Sequence, residues 1–508
     1  MISENVENFD LIVVGGGPAG STLASFVAMQ GHKVLLLERE KFPRHQIGES
    51  LLPVTFHGIC KMLGVADEIK AAGFPLKRGG TFRWGKQQEP WTFEFKSSPL
   101  LSEETGYTYQ VKRADFDNLL LNNSIRKGVE VRQQHTVRSV VKEGDRVVGV
   151  RAVNANGEES TIKAKFVADA SGNTSRLFEE VGERIYSKYF QNIAIYSYYI
   201  DGKRLDPPYQ GNTLCVAFEH GWFWYIPLSD RMTSVGAVIA REHADKIKEM
   251  GHEAALKFFI DACPMMRDEF LVNATRATEP PYDVIRLRKD YSYTNTRFWK
   301  PGLVLLGDAA CFIDPVFSSG VHFATYSALL AARSINTCLK GQLSEETCFK
   351  EYELRYRREF GAFYEFLVSF YDTGQDVDSY FWSARNVLNT EERANEAFVS
   401  LVAGISTTGE KVYTNANDFF ARREGIGEVF EQHAHRKSQK NPLDPKKIDS
   451  DFHPTVLNKK LGITVEHIMK QAHMMGIPAS ELQIADGGLL ISPDGFHWTA
   501  PATAATGD

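Results

Sequence analysis

The sequence predicts a mixed α/β fold, with a parallel sheet, an inserted antiparallel sheet and a mainly helical C-terminal region. Three patterns predict it. Two short apolar runs, 11–14 and 33–37, are separated by a glycine turn and a helical stretch, which is typical of a strand–helix–strand unit. Residues 186–280 are rich in Tyr, Phe and Trp and contain further strand-like runs. Beyond about residue 335 the pattern becomes helical and charged.

Length and composition indicate a soluble globular protein with several structural units. The chain has 508 residues, of which 43% are hydrophobic and 24% charged, and its net charge of −6 argues against nucleic acid as a partner. Residues 1–10 are polar, so no secretion signal is expected, and no apolar run approaches the ~20 residues that cross a membrane. Six scattered cysteines without a C-x-x-C pair indicate reduced thiols in a cytoplasmic protein and no metal site.

The glycine turn between the first two strands predicts a dinucleotide site. Gly15 permits the tight turn, Gly17 lets a pyrophosphate approach the backbone, and Gly20 lets the helix pack on the strand. The N-terminus of the helix then offers amide groups to the phosphates. Glu38 ends the second strand, where a carboxylate accepts hydrogen bonds from ribose hydroxyls.

Three later segments favour FAD over NAD. Asp308 follows the apolar run 303–306, where an acid could hold the ribityl chain of a flavin. Asp169-Ala170-Ser171-Gly172 ends a return strand that follows a β-meander within 129–170, and Arg113 begins an Arg-x-x-Phe-Asp motif. Together these segments resemble the flavoprotein monooxygenase superfamily of the hydroxybenzoate hydroxylase type. The resemblance runs to about residue 335 and adds these flavin-binding candidates: Gly16, Ala19, Arg39, Arg44, Glu49 and Val321.

The domain boundaries follow from this resemblance. We expect an FAD-binding domain over 1–185 with a segment near 80–105 in the inserted sheet, a substrate-binding sheet over 186–284, a return of the FAD-binding domain over 285–335, and a helical region over 336–508. A polar stretch near 435–451 is predicted to be a linker, and the last residues, from Thr499, to be disordered.

Four motifs in order along the chain resemble the flavin-dependent halogenases. They are Ile47-Gly48-Glu49-Ser50, Phe74-Pro75-Leu76-Lys77-Arg78-Gly79-Gly80, Trp222-x-Trp224-x-Ile226-Pro227 and Phe312-x-x-Pro315-x-x-Ser318-x-Gly320. Each string alone has an ordinary structural explanation, such as an aromatic-rich strand for the tryptophan pair. Their joint occurrence in order favours the halogenases.

The resemblance implies a reaction with reduced FAD, dioxygen and chloride or bromide that yields hypohalous acid. Lys77 would meet this acid at the end of a tunnel. Its ammonium could polarise the halogen through a hydrogen bond, or its neutral amine could be halogenated, and burial favours the second route by lowering the pKa. Lys86 is the less favoured alternative, since it follows a strand end.

The resemblance also assigns residues around the flavin. Ser319 and Gly320 would hold the halide through amide groups at a helix N-terminus, and Val321 would touch the flavin. Trp222 and Trp224 would keep the organic substrate away from the flavin. The same family implies reduced FAD from a separate flavin reductase, and the sequence has no second G-x-G-x-x-G for a nicotinamide cofactor.

One departure concerns the substrate. Tryptophan halogenases carry a glutamate where this chain has Phe317, which disfavours free tryptophan. A phenol or pyrrole, possibly tethered to a carrier protein, needs less activation, and Phe317 could stack on its ring. The basic run 436–447 could meet an acidic carrier protein or be a solvated linker.

Three alternatives remain open from the sequence. A geranylgeranyl-reductase-like enzyme shares the flavin motifs and an aromatic string near Trp222. An NADPH-dependent aromatic hydroxylase shares the superfamily. A non-catalytic FAD-binding protein would have no reason to keep Lys77 and the paired tryptophans.

Overall fold

The structure, a computed structural model, describes residues 7–405, except 88, 188, 290–291, 373 and 389–392, and residues 488–500. The predicted linker at 435–451, its basic run and most of the C-terminal tail lie outside these ranges.

An eight-stranded sheet contains the predicted nucleotide-binding unit. The N-terminal strand pairs in parallel with Val34–Glu38 on one side and with the second half of Glu159–Asp169 on the other. The strands are, in sheet order, Trp299–Lys300, Leu303–Leu305, Glu159–Asp169, Asn8–Val14, Val34–Glu38 and Glu130–Gln133, with Thr136–Glu143 and Arg146–Val153 forming a meander on Glu159–Asp169. The central strands are buried, as their apolar sequences require. Because these strands run in parallel, their carboxyl ends share one edge of the sheet.

A second eight-stranded sheet is mainly antiparallel. Its strands are, in order, Thr275–Arg276, Asn192–Ile200, Met232–Ala240, Gly221–Pro227, Thr213–Phe218, Gly79–Arg83 and Trp91–Glu94, with Arg286–Lys289 also pairing with Asn192–Ile200. The segment near 80–105 therefore contributes two strands to this sheet. Because Arg286–Lys289 also belongs to it, the sheet continues past residue 284, where the sequence places its end.

Helices cover the remaining faces. The Pro18–Ala28 helix packs against the Gly320–Leu339 helix, which in turn packs against Glu345–Phe370. The further α-helices are Lys61–Leu63, Ala66–Ala71, Arg113–Arg126, Ala244–Met250, His252–Asp261, Val377–Leu388 and Ala394–Val402. Val54–Cys60 and Met265–Phe270 are π-helical, and Phe95–Ser97, Gly172–Thr174, Leu177–Glu180, Arg241–His243 and Gly307–Ala309 are 3₁₀ turns.

Three small sheets complete the fold: Arg184–Tyr186 with Tyr293–Asn295 and Cys311–Phe312, Leu76–Lys77 with Thr108–Tyr109, and Leu490–Ile491 with Trp498–Thr499. Within the described ranges, no helix is both long enough and apolar enough to cross a membrane. The six cysteines, all of which are described, are free.

Candidate active site

A cavity of about 610 Å³ lies between the carboxyl edge of the parallel sheet and one face of the antiparallel sheet. Of the residues singled out in the sequence, these line the cavity: Gly15, Gly17, Ala19, Glu38, Arg39, Arg44, Glu49, Arg113, Trp222, Trp224, Asp308, Gly320 and Val321. Gly16, Gly20, Lys77, Phe317 and Ser319 lie outside its lining. The carboxyl edge of a parallel sheet is where α/β folds bind nucleotides.

The glycine turn has the geometry that a dinucleotide requires. Gly15 has a φ of +103°, and a Cβ on Gly20 would lie 1.9 Å from the Gly15 carbonyl oxygen, so both positions need glycine. A Cβ on Gly17 would make only an ordinary contact with Arg44, 3.5 Å away. No described side chain caps the Pro18–Ala28 helix at Gly17, which leaves its first amide groups available to a pyrophosphate.

Glu38 closes one end of the cavity. Its buried carboxylate accepts hydrogen bonds from the backbone N–H of Gly16, at 2.6 Å, and of Glu40, at 2.8 Å. Two amides thus hold the side chain beside the glycine turn, and its remaining acceptor capacity can serve ribose hydroxyls.

Two arginines of the cavity wall share one buried carboxylate. Arg113 donates to both oxygens of Asp117, at 2.7 and 2.9 Å, and Arg44 donates to Asp117 at 2.7 Å. Arg113 also donates to the Ile47 carbonyl at 2.6 Å. Asp117 therefore fixes the arginine side chains and the loop that carries Glu49. The Arg-x-x-Phe-Asp motif contains this carboxylate, although its spacing does not reveal the contact with Arg44.

Asp308 and Arg288 lie near each other on the cavity wall. The Arg288 guanidinium is 3.9 Å from the Asp308 carboxylate, and the Tyr293 hydroxyl donates to the Asp308 carbonyl at 2.5 Å. Sequence reasoning missed Arg288. Its only signal is the alternation of arginines in Arg286–Lys289, which directs Arg288 to the cavity face.

The tryptophans lie on one face of the Gly221–Pro227 strand. Trp222 and Trp224 line the cavity, with their ring centroids 6.3 Å apart, whereas Phe223 and Tyr225 pack in a separate core on the other face. Trp222 donates to the Tyr371 hydroxyl at 2.8 Å and Trp224 to Ser234 at 3.1 Å. Both indole rings are therefore held in place by packing and by hydrogen bonds.

Lys77 is buried directly behind the cavity wall. Its side chain is 4% exposed, and its Nζ lies 2.8 Å from Ser50 Oγ and 3.1 Å from the Leu51 carbonyl. Burial lowers the pKa of Lys77 to about 7. Arg78 and Lys86, in contrast, are exposed. Burial thus distinguishes Lys77 from these two neighbouring cations.

A chain of hydrogen bonds surrounds Lys77. Ser50 Oγ lies 3.1 Å from Thr213 Oγ1, and Gln110 donates to Thr213 at 2.9 Å. Ser50 and Thr213 line the cavity, so they connect it to the lysine. We call Ser50, Lys77, Gln110 and Thr213 the lysine pocket. Sequence reasoning missed Gln110 and Thr213, since they come from segments that are distant along the chain.

Glu49 is a buried carboxylic acid of the cavity wall. Its Oε1 accepts from the Tyr198 hydroxyl at 2.9 Å, and its Oε2 has no partner among the described residues. Burial raises the pKa of Glu49 to about 7, against the opposing effects of the Ser234 and Tyr198 hydroxyls. Near neutral pH this group can both hold and release a proton.

The predicted halide loop ends at a helix. Ser318 has a left-handed φ of 60°, and Ser319 is at the N-cap position, without a side-chain capping hydrogen bond, of the 20-residue helix Gly320–Leu339, whose first residues line the cavity. Phe317 instead lies in an aromatic cluster with Phe82, Phe366, Phe370 and Phe398, at centroid distances of 4.6 to 6.1 Å. Its stacking on a substrate stays a prediction.

Comparison with known proteins identifies the family. The family model for tryptophan halogenases matches residues 10–100 and 96–443. This chain belongs to the tryptophan halogenase family. A tryptophan 2-halogenase of Chondromyces crocatus is 33% identical over 416 residues, which are 79% of this chain and 76% of that protein. A 1H-pyrrole-2-carbonyl peptidyl-carrier protein chlorinase of Pseudomonas fluorescens is 31% identical over 388 residues, covering 72% and 84% of the two chains.

A solved structure supports the same assignment for this halogenase. The myxobacterial chondrochloren halogenase CndH, described as a new variant of FAD-dependent halogenases, is 56% identical, with a TM-score of 0.74 over 97% of this chain and 100% of that one. The predicted fold class, flavin-dependent enzyme and use of FAD, dioxygen and halide are thereby confirmed. Relatives named for tryptophan and for carrier-bound pyrrole are both similar, so family membership leaves the substrate open.

The cavity fits the FAD that this halogenase uses. The open helix N-terminus at Gly17 suits a pyrophosphate, Glu38 suits a ribose, and Asp308 suits the ribityl hydroxyls. Among the described residues, no group of three or more His, Cys, Asp or Glu side chains is placed to hold a metal ion.

Proposed function

We propose that this halogenase oxidises chloride or bromide at the flavin and transfers the halogen through Lys77 to a phenol or pyrrole. The observation that carries this proposal is the burial of Lys77 behind the cavity wall, in contact with Ser50. When bound, reduced FAD with dioxygen supplies the oxidising power that converts halide into hypohalous acid. Every other role belongs to side chains and amides of the chain.

The halide binds at the start of the Gly320–Leu339 helix. The amides of Gly320 and Val321 are in its first turn, where the helix dipole and unpaired N–H groups favour an anion, and Ser319 is the capping residue. Trp222 and Trp224 fill the adjoining wall with rigid, apolar rings. Their bulk admits a small hypohalous acid and excludes an organic ring from the flavin.

Lys77 acts as a neutral amine. The Gly211 carbonyl can only accept, and it lies 3.0 Å from Gln110 Nε2, which fixes the orientation of that amide. Gln110 donates to Thr213, and Nζ donates to Ser50 Oγ and to the Leu51 carbonyl, none of which carries a negative charge that would stabilise an ammonium. Burial, which lowers the pKa of Lys77 to about 7, favours the amine.

The amine attacks the halogen of hypohalous acid. A nitrogen–halogen bond forms on Nζ, the oxygen leaves as water with one amine hydrogen, and the aromatic carbon then takes the halogen as its own proton returns to nitrogen. Release of Lys77 as a neutral amine closes the cycle. The buried position keeps the halogenated amine away from bulk water.

An electron-rich aromatic suits the surroundings of Lys77. The centroid of the Phe95 ring lies 5.3 Å from Nζ. Phe95 packs on Phe93, which in turn packs on the aromatic cluster that contains Phe317. Phe317 offers no carboxylate to activate a less reactive ring, which supports a phenol or pyrrole over free tryptophan. Similarity to a carrier-protein chlorinase supports a tethered form of the substrate. We further propose that a separate flavin reductase supplies the reduced FAD.

Product analysis tests this function. The chain is supplied with a flavin reductase, NADH, FAD, and chloride or bromide, and hypohalous acid is trapped while halogenated phenols and pyrroles, free or carrier-bound, are detected by mass. We expect halide-dependent products. Absence of such products, together with phenol-stimulated oxidation of NADPH, would establish a hydroxylase instead.

Two matched variants test the role of Lys77. Lys77→Ala should lower aromatic halogenation by at least about 100-fold while trapping of hypohalous acid continues. Lys86→Ala removes an exposed cation nearby and should halogenate like the unmodified chain. Equal halogenation by Lys77→Ala and Lys86→Ala would refute the proposed role.

A further inference from the structure

A hydrogen-bonded chain leads away from the cavity through Glu49. The Tyr198 hydroxyl donates to Glu49 Oε1 at 2.9 Å, and His45 Nε2 lies 2.7 Å from the same hydroxyl. Tyr198 is fully buried and Glu49 is 2% exposed, whereas His45 is only half-buried. Of the three residues, only Glu49 lines the cavity. The chain therefore spans from the protein surface to the cavity wall.

The hydrogen-bond pattern gives this chain a direction. Glu49 in its carboxylate form can only accept, so Tyr198 donates to it, and the Tyr198 oxygen is then free to accept from His45 Nε2–H. The Oε2 of Glu49 is buried and has no hydrogen-bond partner among the described residues, and Glu49 is the member of this chain that lines the cavity. The exit for a proton that reaches Glu49 is therefore assigned to the cavity side.

Halide oxidation at the flavin consumes protons, which must reach the cavity. Anionic reduced flavin, dioxygen, halide and two protons give oxidised flavin, hypohalous acid and water, and these products carry no charge. Trp222, Trp224, Ser50 and Thr213 line part of the cavity wall with groups that do not release protons readily near neutral pH, and Lys77 lies behind this wall. A route from the surface supplies these protons without Lys77, which in the proposed reaction is a neutral amine and has no acidic proton to give.

We propose that His45, Tyr198 and Glu49 form a proton relay that delivers protons from solvent to the flavin cavity. The proposal rests on the flavin-dependent halide oxidation argued above. His45 takes a proton at Nδ1 as it releases one from Nε2, Tyr198 accepts that proton as it passes its own to Glu49, and Glu49 releases one to the cavity. Glu49 is the catalytic acid, and His45 and Tyr198 act through it.

The surrounding charges suit these roles. Arg286, Arg113 and Arg44 face His45, and burial together with these cations lowers the pKa of His45 to about 4, so the ring is neutral at pH 7. Arg113 and Arg286 also face Glu49, and Tyr282 packs on His45 and Tyr198. Burial raises the pKa of Tyr198 well above its ordinary value, so this hydroxyl keeps a proton and passes it in exchange for another.

The first test uses the flavin-free chain and requires no activity. Nitrogen-15 NMR of the His45 ring should show the Nε2–H tautomer in the unmodified chain, and Tyr198→Phe should reduce that preference. If His45 carries its proton on Nδ1 and accepts from Tyr198, then Tyr198 does not donate to Glu49, and the relay is overturned. This result would leave the proposed halogenase reaction untouched.

The second test measures hypohalous acid formation. Tyr198→Phe should lower its rate by at least about tenfold with FAD affinity unchanged within twofold, while Tyr199→Phe, on the opposite face of the same strand, should have no effect. His45→Ala should form hypohalous acid at a similarly reduced rate, and added imidazole should restore that rate. Imidazole would not restore a rate that had fallen only because the structure was disturbed. An unchanged rate in Tyr198→Phe, or failure of imidazole to restore His45→Ala, would exclude the relay.

Discussion

The nucleotide end and the lysine pocket border the same cavity, the pocket through Ser50 and Thr213, yet different kinds of chain segment build them. The nucleotide end comes mainly from one continuous stretch, from Gly15 to Glu38, in which strand, turn and helix place every group. The lysine pocket joins residues 50, 77, 110 and 213, which come from four separate segments. Local geometry therefore places the groups that we propose for the pyrophosphate and the adjoining ribose, whereas tertiary packing buries Lys77.

The largest effect is expected at the nucleotide end. Gly20→Ala would place a methyl group 1.9 Å from a backbone oxygen, which should destabilise the fold by about 3 kcal/mol and abolish FAD binding. Gly17→Ala makes only an ordinary contact and should keep its stability, yet weaken FAD binding at least about tenfold by obstructing the pyrophosphate. Urea unfolding and flavin fluorescence measure the two effects. Similar stability of the two variants would contradict the steric distinction.

The stability of the folded chain should depend on pH because of Lys77 in the lysine pocket. The folded chain releases the Lys77 proton near pH 7 and the unfolded chain near 10.5, so the unfolded state binds more protons between these values. The stability of the unmodified chain relative to Lys77→Met should therefore rise with pH, by up to about 1.4 kcal/mol per pH unit.

Urea unfolding at pH 7 and pH 9 measures that slope. Lys86→Met, at an exposed position, should give a stability difference that does not change with pH. A flat difference for Lys77→Met as well would mean that Lys77 remains a charged ammonium in the folded chain.

A smaller effect is expected from the hydroxyl that links the pocket to the cavity. Thr213→Val removes the partner of both Gln110 and Ser50, and should cost about 2 kcal/mol of stability and slow aromatic halogenation without weakening FAD binding. Thr275→Val, at an exposed position of the same sheet, is the matched control and should cost less than about 0.5 kcal/mol. Equal costs would show that the pocket network contributes nothing.

The smallest effect returns to the nucleotide end. Glu38→Gln keeps the side-chain shape but removes the charge and presents an amide donor to one of two backbone N–H groups, which should weaken FAD binding about tenfold. Glu130→Gln, exposed on the neighbouring strand, should bind FAD like the unmodified chain. Titration of flavin fluorescence measures both, and unchanged affinity in Glu38→Gln would remove Glu38 from the site.

Much of this halogenase could be predicted from its sequence, because periodicity and glycine spacing act over a few residues. The glycine turn, the buried strands and the tryptophan pair are of this kind. The strand Val34–Glu38 lies within one residue of its predicted bounds, whereas the first strand, predicted over 11–14, begins at Asn8. The boundary at residue 284 was misplaced, since Arg286–Lys289 joins the antiparallel sheet through backbone pairing that carries no local signal.

The sequence by itself determined the fold class, and it predicted the flavin-binding segments and Lys77 as part of a recognisable motif. Only the tertiary structure decided that Lys77 is buried while Lys86 is exposed, that Asp117 holds two arginines, and that His45 reaches Glu49 through Tyr198. The physical reason is that a protonation state depends on burial and on the direction of hydrogen bonds. Both are set by residues that meet only after the two sheets have packed.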